Sequence, residues 1–148
     1  MKKRILLPLA VLLCLALLSG CKFLTRINVD FDADSISKAQ KIVVRDAAGN
    51  EKTVLSEEAD IEAFVDAVNV SGWKFKELPE GLTEAGSFTL WQRETITALA
   101  GEGEGKENEI CTFRIYAEED CLTIETGLAD IPFSIPKGAA DYLREIAA

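Results

Sequence analysis

Side chains able to do chemistry are unevenly supplied in this chain of 148 residues: 25 Asp and Glu, 16 Lys and Arg, four Cys and no His. Without imidazole there is no Ser-His-Asp triad, no Cys-His dyad and no His-bearing metal site. No serine stands in a G-x-S-x-G nucleophile motif. Residues Gly101-Glu102-Gly103-Glu104-Gly105-Lys106-Glu107 are no phosphate loop. The glycine spacing is wrong, no Ser or Thr follows the lysine, and the carboxylates repel phosphate. No catalytic residue, metal ligand or cofactor site is therefore assigned. A Glu/Asp pair of the kind that hydrolyses glycosides depends on distance in space, which spacing along the chain does not reveal. A small hydrolase using such a pair is the alternative to a non-catalytic reading. A deep pocket with a desolvated carboxylate would mark the enzyme, and a flat face the binding module.

Two acidic runs invite a metal. Asp30-Phe31-Asp32-Ala33-Asp34 resembles the opening of an EF-hand calcium loop, which needs carboxylates at its first, third and fifth positions. Ser35 then stands where the sharp turn wants Gly, and Lys41 where a bidentate Glu closes the cage. The run reads better as exposed acids on an edge strand, where like charges blunt edge-to-edge pairing. Glu102, Glu104, Glu107 and Glu109 form the second run. Its interleaved glycines deny the preorganisation a metal cage needs, so it reads as a solvated hairpin tip.

One cysteine has a sharper context. Lys2, Lys3 and Arg4 precede fourteen mostly apolar residues, Ile5 to Leu18, and then Ser19, Gly20 and Cys21. Fourteen residues fall short of the roughly 20 that a membrane-spanning helix needs. A basic start, an apolar stretch and a small-residue cleavage region make a secretory signal. Leu18-Ser19-Gly20-Cys21 resembles the lipobox of bacterial lipoproteins. The resemblance implies that the Cys21 thiol receives a diacylglyceryl group, that the peptide is cut between Gly20 and Cys21, and that acyl chains tether the mature chain to a membrane. Two acyl chains hold lastingly where one holds only marginally. Residues 1–20 are then the cleaved signal peptide, 21–26 the lipidated start and a short tether, and 27–148 a single domain facing outside the cytoplasm. Lys22 follows the cysteine where the family's inner-membrane retention signal has Asp. In a cell with two membranes the outer one is implied.

Cys14 leaves with the signal, and Cys111 and Cys121 remain. Their segment, EICTFRIYAEEDCLTIET, reads as two strands around the acidic turn Glu118-Glu119-Asp120. A turn centred on Glu119 and Asp120 sets Ala117 opposite Leu122, Ile115 opposite Ile124 and Phe113 opposite Thr126. Side chains alternate along a strand, so Cys111 and Cys121 then face opposite ways. Pairing them directly would need the turn at Tyr116. Two separate thiols are expected, with Cys111 buried.

The elements that must position these groups follow from patterning. Beyond the signal, 13 basic and 25 acidic residues give a formal charge of −12 over 128 residues, room for one domain. Such acidity opposes nucleic-acid binding, which needs a basic face. Ile27, Val29 and Phe31 alternate in a short strand or ordered lead-in. Lys41 to Arg45, the turn Ala47-Ala48-Gly49-Asn50, and Glu51 to Leu55 form a hairpin. Ser56 can cap a helix over residues 57–69, with Ile61, Phe64, Val65 and Val68 inward and Gly72 ending it. Trp73 and Phe75 share one side of a short extended segment. Ser87 to Leu99 and residues 110–126 are strands around the acidic tip near Glu104, with Ile96 opposite Phe113 and Ala98 opposite Cys111. Ile131 to Ile135 is a last strand. Lys137 to Ala147 is a closing helix with Tyr142, Leu143 and Ile146 inward.

The expected fold is α+β: an antiparallel sheet of about five to seven strands, meander-like in its C-terminal half, with two helices packed on one face. Phe88, Leu90, Ile96, Phe113, Ile115, Leu122 and Ile124 share the covered face. The other face carries Trp91, Arg93, Thr95, Thr97, Thr112, Arg114, Tyr116, Thr123 and Glu125. Arg114 should oppose Glu125 there, and Tyr116 oppose Thr123. Trp, Tyr and Arg dominate binding hot spots, so Trp91, Arg93, Arg114 and Tyr116 form the candidate interaction face. The expected function is a membrane-tethered, non-catalytic module that binds a protein, peptide or envelope component, or serves as an accessory subunit.

Overall fold

The computed structural model describes residues 33–93 and 105–148, which lie in one compact unit, Asp32–Ala148. The signal region, Cys21, Ile27, Val29, Phe31, Thr95 to Thr97 and Glu102 to Glu104 fall outside the described residues. Among the described residues seven strands make one antiparallel sheet: β1 (Lys41–Asp46), β2 (Glu51–Leu55), β3 (Lys74–Phe75), β4 (Glu84–Arg93), β5 (Glu107–Tyr116), β6 (Cys121–Glu125) and β7 (Asp130–Ser134). Their order is β2-β1-β4-β5-β6-β7-β3. The helices among the described residues are α1 (Ala33–Ser37), α2 (Glu58–Val68) and α3 (Lys137–Ala147). The fold is α+β as expected, with α2 and α3 over one sheet face.

That face is the core. Ile42, Val44, Phe88, Leu90, Phe113, Leu122 and Ile124 are fully buried. Phe64 and Val68 of α2 and Leu143 of α3 close over them. The Phe64 ring lies 5.7 Å from Phe88 and 6.2 Å from Tyr142. The inward ridge of α3 is built of Ala139, Ala140, Leu143 and Ala147, while Tyr142 and Ile146 sit half-buried at its flanks. Small residues let the helix come close. A Cβ at Gly86 on β4 would stand 2.6 Å from the Ala147 Cβ and 2.7 Å from the Arg45 carbonyl oxygen.

Local details depart from the sequence reading. Asp34 sits in the first turn of α1 rather than on an edge strand. Burial of Ile36 and Ala39 rewards a helical turn there, and α1 packs on α2. Helix α2 takes Glu57, not Ser56, at its N-cap, without a side-chain hydrogen bond. Its left-handed residue is Asn69 (φ 44°), not Gly72. Asn tolerates that conformation. The orphan carbonyl of Val68 accepts a bond from the Trp73 indole at 2.7 Å. Gly72 matters for a different reason: a Cβ there would come within 2.6 Å of Pro136. Trp73 turns inward, with ring contacts to Phe113 and Phe133, whereas Phe75 is 67% exposed.

Register was legible in phase but not in place. Phe113 pairs with Phe88 rather than Ile96, an eight-residue displacement, and Cys111 pairs with Leu90. On the other side Ile115 pairs with Leu122 and Phe113 with Ile124, displaced by two. Even displacements keep every side chain on its face. The β5–β6 turn is held by Arg144 of α3, which donates to the carbonyls of Tyr116 (2.9 Å) and Glu119 (2.6 Å) and to the Asp120 carboxylate (3.1 Å).

Candidate interaction face

Two bulges shape the sheet surface that no described element covers. Leu90 pairs with Cys111 but Trp91 with Glu109, so Ile110 is an extra residue in β5. An extra residue reverses the alternation beyond it. Glu109 and Glu107, which simple alternation would send to the core side with Cys111, come instead to the open face beside Trp91 and Arg93. A second bulge, at Ala85, brings Glu84 opposite Tyr116 on the same face. Glu107 and Glu109 are therefore strand residues, not part of a loose tip.

The four predicted residues share this face in two groups. Arg114 opposes Thr123 rather than Glu125. It nonetheless pairs diagonally with the Glu125 carboxylate and, at 3.1 Å, with Glu84. Tyr116 and Thr123 share a hydroxyl hydrogen bond of 2.9 Å. The Thr112 hydroxyl lies 3.1 Å from both the Glu109 carboxylate and the Thr89 hydroxyl, and Arg45 donates to Thr89 at 3.3 Å. This centre is a polar ladder that satisfies itself.

The Trp91 end is different. A cleft of about 520 Å³ is lined there by Gln40, Lys41, Ser56, Trp91, Arg93 and Glu107, together with Gln92. The Lys41 ammonium sits 5.4 Å from the Trp91 ring centroid and pairs with the Glu107 carboxylate. That hydrogen bond, then the charges of Lys41 and Arg93, hold the Glu107 carboxyl below its ordinary range. Arg93 comes closest to Glu107 at Nε, 3.6 Å away, and its side chain is 70% exposed. Its backbone N–H donates to the Gln40 Oε1 at 3.0 Å. The Trp91 indole nitrogen is shielded from solvent and has no hydrogen-bond partner among the described residues.

Other candidate chemistry is scattered. Among the described residues no three His, Cys, Asp or Glu side chains converge as metal ligands. Cys111 and Cys121 are both buried and unpaired. Burial pushes the Cys111 thiol up to about 12, with the charge of Glu109 adding, and burial also raises Cys121. A low-pKa nucleophile is the opposite case. Ser-x-x-Lys, another nucleophile spacing, occurs four times, at Ser19–Lys22, which lies outside the described residues, and at Ser35–Lys38, Ser71–Lys74 and Ser134–Lys137. Ser71 donates to Asn69, Ser134 to the Lys74 carbonyl, and Lys137 is paired with Asp141, so the latter two spacings bring no lysine amine onto a serine hydroxyl. Gln40, Lys41 and Ser56 were not expected on the face. Lys41↔Trp91 is a cross-strand pair, and only knowledge of that pairing would have found them. No helix among the described residues is long and apolar enough to cross a membrane. No known protein family, curated protein or solved structure matches this chain.

Proposed function

We propose that this chain is a lipid-anchored extracytoplasmic lipoprotein whose folded part is a non-catalytic binding module, attached through Cys21 and engaging its partner with the uncovered face of the sheet. The observation that carries the binding reading is the asymmetry of the sheet. One face is sealed by α2 and α3, while the other presents Trp91, Arg93, Arg114 and Tyr116 with no described element over it. The tether rests on Leu18-Ser19-Gly20-Cys21 alone. The partner is a protein, peptide or envelope component, and no catalytic role is assigned to any residue.

The test is directional. A photo-crosslinking side chain is placed at Glu109, exposed on the open face, or at Glu62, exposed on α2. In intact cells Glu109 should give a discrete adduct and Glu62 none. Equal yields from both positions, or none from either, would refute the binding face.

A further inference from the structure

Resting on that reading, we infer that the recognition point of the open face is the cleft at Trp91, and that it takes a carboxylate group through Arg93 and Gln40. The middle of the face has spent its charges on itself: Arg114 is held between Glu84 and Glu125. The cleft has not. Lys41 and Arg93 share one carboxylate, Glu107, and Lys41 occupies it at the closer range. The guanidinium comes closest to it at Nε, 3.6 Å away, and among the described residues the two terminal nitrogens of Arg93 make no hydrogen bond. A planar guanidinium edge matches a carboxylate with two parallel hydrogen bonds.

Gln40 adds a second donor. Its Oε1 is occupied by the Arg93 backbone N–H, which fixes the amide's orientation, and among the described residues the Nε2 hydrogens have no partner. Ser56 lines the cleft with a hydroxyl that makes no hydrogen bond among the described residues. The unspent groups of the cleft are thus mainly donors, and they gather beside an indole wall. An acceptor-rich, negatively charged group with an apolar body meets both. A peptide's terminal carboxylate and a small organic acid share this chemistry.

The experiment follows the two indole N–H resonances, Trp91 and Trp73, in a ¹⁵N-labelled mature domain (residues 22–148) whose dispersed amide spectrum first establishes that it folds. The probes are N-acetyl-trialanine with a free C-terminus, its C-terminal amide, and propionate. The free acid should shift Trp91 saturably and leave Trp73 in place, since Trp73 is bonded to Val68 elsewhere in the fold. The amide should bind at least about tenfold more weakly, and Arg93→Ala should reduce acid affinity by about tenfold or more. Arg93 is exposed, so its loss should leave the amide spectrum otherwise intact. Propionate shifting Trp91 as strongly as the tripeptide supports a small-acid ligand; a clear preference for the tripeptide supports a peptide terminus. No saturable shift with either acid, equal shifts with acid and amide, or an unaltered Arg93→Ala titration would overturn the inference. If the titration fails while crosslinking from Glu109 still succeeds, the carboxylate site is wrong and the binding face stands. If both fail, both readings fall.

Discussion

At the scale of single residues, context separates groups that look alike in a list. Arg93 and Arg114 are both arginines on the open face, yet one keeps terminal donors unspent and the other is clamped between two acids. Reversing Arg114 would place three carboxylates together and destabilise the middle of the sheet, so Arg93 is the informative substitution. The two cysteines are equally specific. Cys111 and Cys121 should resist a thiol reagent at pH 8 in the folded protein and both react once the chain is unfolded. Free-thiol titration with and without denaturant checks this, and rapid labelling of either in the native state would contradict it. Their linkage has a definite sign. Below pH 9.0 folded and unfolded chains both hold the Cys111 proton, and stability is level with respect to that group. Between 9.0 and about 12 only the unfolded chain ionises, so stability should fall as pH rises through that window. Denaturant midpoints at pH 8 and pH 10.5, compared with those of Cys111→Ala, isolate the effect from the other groups that titrate there; a fall of equal size in the variant would contradict it.

At the scale of elements, close approach and bulges decide what the sheet can present. Helix α3 meets β4 where Gly86 faces Ala147, and no side chain fits between them. Gly86→Ala should destabilise by about 1–3 kcal/mol, the range for overpacking a filled core. Gly138, in the first turn of the same helix, has nothing within 4 Å of a built Cβ. Gly138→Ala should stabilise by about 0.4–1 kcal/mol by restricting the unfolded chain. Thermal melts of the two variants should move in opposite directions, and a fall for Gly138→Ala or no fall for Gly86→Ala would contradict the packing described. Much of this layer was legible beforehand: the Lys41–Asp46 and Glu51–Leu55 hairpin and the Lys137–Ala147 helix stand where turn residues and helical spacing put them. The bulge at Ile110 was not. Nothing in the types of Glu109, Ile110 and Cys111 announces an extra residue, and that one residue carries Glu107 and Glu109 to the face where Lys41 and Arg93 meet them.

For the whole molecule, the proposed tethered binding module rests on one sealed sheet face, one face that no described element covers, and the resemblance of Leu18-Ser19-Gly20-Cys21 to a lipobox. Cys21→Ala should move the protein from the membrane pellet to the soluble fraction or leave it unprocessed, with no incorporation of labelled palmitate. Labelled palmitate still carried by that variant would end the lipoprotein reading.

What the sequence determined by itself is whatever depends on near neighbours: the absence of imidazole chemistry, the helical and alternating periods, and the face taken by strand residues away from the bulges, such as Phe88, Phe113 and Leu122. The face could be read because alternation has a period of two and survives every even slip in pairing. Which residues stand side by side was decided only by the tertiary structure. Lys41 meets Glu107 across 66 positions, and Arg144 reaches back to the turn before Cys121. Such meetings depend on bulges and on a helix anchoring a distant turn. They are settled by the packing of the assembled core, which no short window of sequence contains.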